Sequence, residues 1–211
     1  NSLKNEYCTI RYVTLKQIFF MSKKIIVVFG ATGAQGGGLA YAILNDKNSA
    51  FAVRAVTRDT GSEKAKALAA AGAEVVTADI DDLESIKRAL RGAYGAYFVT
   101  FFWDHFSPEK EYEQARHFAE AAKALGLVHI IWSTLEDTRK WVPLNDNSMP
   151  TLRNKYKVPH FDAKGEADQL FIDLGLPVTF MRASFYWDNL IYFGSGPKKG
   201  PDGNLYITFP M

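Results

Sequence analysis

The segment that most constrains this chain is Gly30-Ala31-Thr32-Gly33-Ala34-Gln35-Gly36. It follows Ile25-Ile26-Val27-Val28-Phe29, an apolar, β-branched run that reads as a strand buried on both faces. It also opens a helix that continues over 39–44. Gly30 permits the tight turn from strand to helix, Gly33 lets the backbone approach a pyrophosphate, and Gly36 lets the helix pack close to the sheet. The helix N-terminus then offers N–H groups and the positive end of its dipole to an anion. A glycine trio alone also occurs in ordinary helix–sheet turns. After a buried strand, at the head of a strand–helix–strand run, it is the signature of a dinucleotide site.

The rest of the chain keeps the same alternation. Strands are expected over 51–57, 74–77, 96–100, 127–132 and 178–181. Helices are expected over 62–71, from Asp81 or Asp82 to 90, over 108–125 and over 159–174. Ser62 is placed to cap the first of these, Pro108 opens the long one where its missing N–H costs nothing, and Gly72, Gly92, Gly126 and Gly175 follow the helix ends. Strand and helix repeated about five times predict an α/β fold of Rossmann type. The doubly wound parallel sheet is covered on both faces, with right-handed crossovers. Residues 137–158, with Pro143, Pro150 and several asparagines, read as a long irregular loop. Residues 189–193 read as a short helix or loop, and 205–209 as one strand in a Gly- and Pro-rich end.

Three regions follow. Residues 1–20 show neither a signal-peptide core nor a transit pattern and precede Met21-Ser22-Lys23-Lys24, which looks like a natural start. They are set aside as a non-native or flexible extension. Residues 21–193 are expected to form the NAD(P)-binding Rossmann domain, and 194–211 to begin a truncated C-terminal substrate or partner region.

Composition excludes several classes. Lys and Arg total 25 against 23 Asp and Glu, a net charge of +2, so no electrostatic footprint for nucleic acid is present. The most apolar run, 18–34, is cut by Lys23 and Lys24, so no membrane partner is expected. The single cysteine, Cys8, forms no internal disulfide and no thiolate metal site. His105, His117, His129 and His160 lack metal-ligand spacing, so no metal is expected. A reducing compartment follows: the cytoplasm, with the nucleus added for a eukaryotic source.

The end of the second strand, Val56-Thr57-Arg58-Asp59, bears on the choice of nucleotide. An acid in this place bonds the ribose 2′-hydroxyl of NAD, whereas an arginine suits the 2′-phosphate of NADP(H). Arg58 comes first and favours NADP(H). Asp59 points the other way, and a solvated strand-end charge is the bland alternative for Arg58, but the NADP(H) reading is preferred.

The glycine loop is joined by Thr57-Arg58, Gly72-Ala73-Glu74-Val75-Val76, Ala78-Asp79-Ile80-Asp81-Asp82, Gly92-Ala93-Tyr94 and His160-Phe161-Asp162-Ala163-Lys164-Gly165-Glu166. Together these motifs resemble the NmrA-like family, the atypical short-chain dehydrogenase/reductases, and within it most nearly the NADPH-sensor branch. The resemblance runs from about residue 21 to 211, with the motifs in order. It implies that Gly30, Thr32, Gly33, Ala34 and Gln35 form the phosphate loop, and that Arg58 meets the 2′-phosphate. Asp79 and Ile80 would hold the adenine, and Thr100, Phe101 and Phe102 would sit beside the nicotinamide half. Lys164 would reach the nicotinamide ribose, and Tyr186, Trp187, Asp188 and Asn189 would close over the cofactor. Asp81 and Asp82 read as helix caps.

One departure bears on activity. Ordinary short-chain dehydrogenases carry Tyr-x-x-x-Lys on a helix, a spacing that puts both groups on one face. The lysine lowers the tyrosine pKa so that the phenol can move a proton. Here His160 takes the tyrosine position ahead of Lys164, as in the sensor branch. His160 is an acid–base candidate by its intrinsic pKa, or simply a packed helix histidine. Ser133 resembles the serine of standard members, and Tyr156, two helical turns before Lys164 and beyond Pro159, is a poor stand-in for the lost phenol.

Phe101-Phe102-Trp103 and Phe185-Tyr186-Trp187 are aromatic clusters that line either a pocket for a flat ligand or the core and its lid. Arg139, Lys140, Arg153, Lys155 and Lys157 read as charges on a solvated mobile loop. Two functions are therefore carried. The first is an NADP(H)-binding regulatory protein that senses the NADPH/NADP ratio, with a protein partner and a homodimer as its expected assemblies. The second is an NADPH-dependent reductase of quinones or similar flat electrophiles that uses Lys164.

Overall fold

The computed structural model describes residues 23–183, 185–192 and 194–208. The expectations for 1–20, for Phe193 and for Phe209 fall outside them. Six strands form one sheet: β1 (Lys24–Val28), β2 (Phe51–Thr57), β3 (Glu74–Thr77), β4 (Gly95–Phe98), β5 (His129–Thr134) and β6 (Val178–Arg182). Their order is β3-β2-β1-β4-β5-β6 and every neighbouring pair is parallel. This is the Rossmann order, and the α/β doubly wound expectation holds. The chain runs outward from β1 to β3 and then returns to β4 on the other side of β1. The gap between the carboxyl ends of β1 and β4 is therefore the switch point, where such sheets bind ligands.

Helices α1 (Ala34–Asn45), α2 (Glu63–Ala70), α3 (Leu83–Leu90), α4 (Pro108–Leu125) and α5 (Pro159–Asp173) join the strands. Local chemistry sets their ends. Ser62 Oγ accepts from Ala65 N, Asp82 Oδ1 from Glu84 N and Ser107 Oγ from Lys110 N, each an N-cap worth about 1 kcal/mol. Gly126 adopts φ 63° and closes α4. A short helix, α6 (Asn189–Tyr192), and the antiparallel pair β7 (Lys198–Lys199) and β8 (Leu205–Tyr206) complete the described chain.

Strand alternation builds a core on each face. Val27 and Phe29 enter one cluster with Phe98, Phe118, Trp132 and Phe171. Ile26 and Val28 enter the other with Val53, Leu68 and Tyr97. Phe98 stacks on Phe118 at 4.5 Å and Phe29 meets Phe118 edge-on at 4.8 Å, so three aromatic rings tie β1 and β4 to α4. Among the described residues no helix is long and apolar enough to cross a membrane.

Three expectations need correction. Asp81 caps no helix: its carboxylate accepts from Gln114 Nε2 at 2.7 Å and pairs with Lys110 Nζ at 2.6 Å, tying the end of β3 to α4. The basic segment is not simply solvated. Lys157 is 2% exposed, with Nζ donating to the carbonyls of Asp146 and Met149, and Arg139 pairs with Asp137 and Glu166. A buried Asp162 also accepts from Lys157 N, Val158 N and Thr138, which pins the loop to the start of α5. Finally, β4 stops at Phe98 rather than at residue 100, because Thr100 turns away to a buried carboxylate.

Candidate functional site

The loop after β1 is built as the glycines require. Gly30 has φ +63°, and a Cβ there would meet Val99 Cγ1 at 2.8 Å. A Cβ on Gly36 would lie 2.4 Å from the Gly30 carbonyl oxygen, so only glycine lets α1 start this close to the turn. Gly33 is the N-cap of α1 and no side chain caps it. The first turn of the helix therefore presents its N–H groups to the switch point, the donor set and dipole an anion needs.

Two clefts meet there. One, of about 820 Å³, runs from Gly30, Thr32 and Gly33 across Arg58 to Asp79 and Ile80. The other, of about 690 Å³, is lined by Phe102, Trp103, His160, Lys164, Asp188 and Asn189. Ala34, Gln35, Thr100, Phe101 and Tyr186 line both. Thus every expected site residue borders one cleft or both, with one exception. Trp187 lines neither: it is 75% exposed, with its ring edge-on to Phe185 at 5.9 Å.

In the first cleft Arg58 is exposed and its Nη1 pairs with Asp104 Oδ2 at 2.7 Å. Asp59 turns its carboxylate into its own loop, where Oδ1 accepts from Gly61 N at 2.8 Å. Asp79 Oδ1 similarly accepts from Asp81 N at 2.9 Å. Of the two charges at the end of β2, the arginine is the one extended toward a neighbouring segment.

The seam between the clefts is a hydrogen-bond hub on Gln35. Tyr97 and Ser133 both donate to Gln35 Oε1, and Gln35 Nε2 donates to the Tyr186 hydroxyl. The strap that holds Tyr186 is thereby tied to the glycine loop. Burial pushes the Tyr97 phenol up to about 12, so it remains a donor across the neutral range.

Lys164, nearly buried on α5, points at the same seam. Its Nζ donates to Thr100 Oγ1 at 2.7 Å and to the Ser133 carbonyl at 3.2 Å, and it lies 3.2 Å from Glu111 Oε1. Thr100 Oγ1 in turn donates to Glu111 Oε1 at 2.6 Å. Burial lowers the Lys164 pKa, and the Glu111 charge opposes that shift. His160, one turn earlier, is enclosed by rings: Trp103 at 4.9 Å, Phe161 at 4.9 Å and Phe102 at 5.5 Å. Burial lowers its pKa, so the ring is neutral at pH 7. Tyr156 is buried beneath Arg139 and Lys155 and lines neither cleft. Among the described residues no group of three or more His, Cys, Asp or Glu is placed to hold a metal.

Sequence reasoning missed Tyr97, Asp104 and Glu111. A signal for Glu111 was present: with Ala115, Phe118 and Ala122 it falls at helical spacing on the buried face of α4. A carboxylate on such a stripe needs a cation.

Known proteins match this arrangement. The model of the NmrA-like family matches residues 22–211. An NmrA-like family domain-containing oxidoreductase, FrzB, from a Cladobotryum species is 31% identical over 196 residues, 88% of this chain and 55% of that protein. The crystal structure of NmrA, a negative transcriptional regulator, in complex with NAD is 25% identical with a TM-score of 0.67. It covers 87% of this chain and 53% of that one. An NADPH-dependent quinone oxidoreductase from Escherichia coli in complex with NADPH is 26% identical with a TM-score of 0.59, over 79% of this chain and 51% of that one. The chain thus spans about half the length of the relatives it matches.

Proposed function

The chain belongs to the NmrA-like family, and from that premise we propose that it binds NADP(H) and reports the NADPH/NADP ratio as a regulatory protein. The clefts fit a dinucleotide. Gly30, Gly33 and the start of α1 take the pyrophosphate, Arg58 the 2′-phosphate, Asp79 and Ile80 the adenine, and Lys164 the nicotinamide ribose. The complexes of two family neighbours with NAD and with NADPH support a nicotinamide dinucleotide as the ligand, and Arg58 supports NADP(H) in particular. When bound, the reduced nicotinamide supplies a hydride.

The observation that carries the sensing reading is the wall around Lys164. NADPH and NADP share the 2′-phosphate and differ by a positive charge on the oxidised ring. A ligand shifts an equilibrium only through differential affinity. The Lys164 ammonium lines the second cleft while its counter-charge, Glu111, lies buried behind it, so the cation facing the cleft disfavours the charged ring and favours NADPH. Meanwhile the position of the missing phenol is held by a neutral imidazole enclosed by three aromatic rings. Little standard dehydrogenase activity is expected from that pair.

A second reading rests on a different observation. The aromatic lining beside Lys164 suits a flat acceptor, as expected of an NADPH-dependent reductase of quinones. Steady-state NADPH oxidation with a quinone panel separates the two. Tight NADPH binding without turnover supports the sensor. Turnover lost in Lys164→Ala, with the fold retained, supports the reductase and contradicts the pure sensor.

A further inference from the structure

Glu111 is fully buried on α4, behind Lys164. Its two oxygens face different groups. Oε1 accepts from Thr100 Oγ1 at 2.6 Å and lies 3.2 Å from Lys164 Nζ. Oε2 lies 3.3 Å from His105 Nε2, in a geometry too skewed for a hydrogen bond, and both of those atoms are otherwise buried without partners. His105 Nδ1 accepts from Ser107 N at 3.1 Å, which leaves the ring proton on Nε2. The buried carboxylate thus has the lysine on one side and an imidazole edge on the other.

We propose that Glu111 is a positioning residue for Lys164: from the interior of the sheet–helix interface it holds the lysine ammonium at the seam between the two clefts. The inference rests on the reading of Lys164 as the cation of the nicotinamide half. An ammonium taken out of water is costly unless it is paired, and a lone lysine in this place sheds its proton instead. The paired carboxylate keeps the proton on, and the Thr100 hydroxyl between the two fixes the direction of the side chain. The longer contacts of Nζ, to the Ser133 carbonyl at 3.2 Å and the Thr100 carbonyl at 3.4 Å, are the ones a ribose hydroxyl replaces at the cleft wall. Three other titratable groups surround the lysine: His160 and Asp168 from its own helix, and His105 behind Glu111.

The test is the pH dependence of NADPH binding by the whole chain, from pH 6.5 to 10.5. It is read by energy transfer from tryptophan to the nicotinamide, beside a thermal melt of each variant. In the wild type, affinity falls on the alkaline side as Lys164 loses its proton. Glu111→Gln keeps the shape and the oxygen that accepts from Thr100 but removes the charge. It is expected to move that midpoint down by roughly one to three pH units. Glu111→Asp keeps the charge at a greater distance and is expected to move it less, in the same direction. If the glutamine variant does not fold, the aspartate variant against the wild type decides alone. A midpoint unmoved in the folded variants overturns the proposal while leaving the binding site intact. NADPH affinity unchanged in Lys164→Gln overturns the reading of the lysine itself, and the proposal with it.

Discussion

Arg58 Nη1 lies 2.7 Å from Asp104 Oδ2, so the guanidinium expected to take a 2′-phosphate already holds an anion from the turn after β4. That turn, Phe102–Asp104, also supplies Phe102 and Trp103 to the second cleft. The two clefts are therefore both lined from one short segment.

Asp104 competes with the 2′-phosphate on this account. Asp104→Asn is expected to raise NADPH affinity by about two- to five-fold, the scale of an exposed ion pair, and to leave NADH affinity unchanged. Fluorescence titration with both nucleotides measures it. An equal gain for NADH contradicts the competition.

Glycines in α1 separate close approach from helix propensity. A Cβ on Gly36 lies 2.4 Å from the Gly30 carbonyl oxygen, whereas one on Gly38 meets nothing within 4 Å. Gly36→Ala is expected to lose dinucleotide binding and lower the melting temperature. Gly38→Ala is expected to bind normally and to gain about 0.5–1 kcal/mol in stability.

Asp168 gives the chain a pH signature. Burial raises its carboxyl to about 6, while it accepts from Trp132 Nε1 at 3.0 Å. Between its ordinary value and about 6, the folded chain keeps a proton that the unfolded chain has lost. Its contribution to stability therefore falls as pH rises through that window and is level above it. Asp168→Asn keeps an oxygen for Trp132 and is expected to remove this slope. Denaturant melts of both chains between pH 4 and 7 test it by difference.

The aromatic stack on α4 carries much of one core. Phe118→Ala is expected to cost about 3–5 kcal/mol, because Phe29 and Phe98 both lose their partner ring. Chemical denaturation reads this directly.

Periodicity and caps made the architecture legible in the sequence. The span 108–125, with Ser107 before its proline and Gly126 after it, forms the helix as read, and β2 and β3 match their expected bounds. The edges of β4 and β5 did not follow propensity. Thr100 leaves the sheet for Glu111, and β5 runs on to Thr134 because it pairs with β6 as far as Arg182. The glycine loop, Arg58 and Lys164 were visible as motifs. Tyr97 and Asp104 were not, since each acquires its meaning from a partner far along the chain, Gln35 and Arg58, and the helical stripe that marks Glu111 as buried does not name its partner, Lys164. Lys157 likewise looked like a loop charge until Asp146 and Met149 enclosed it.

NADP(H) is proposed to enter the first cleft against Arg58. Titration of the chain with NADPH and with NADH, beside Arg58→Ala, tests it most directly. Tighter binding of NADPH than of NADH is expected, with the difference abolished in Arg58→Ala while NADH binding persists. Equal affinities in the wild type, or an Arg58→Ala variant that still prefers NADPH, would contradict it.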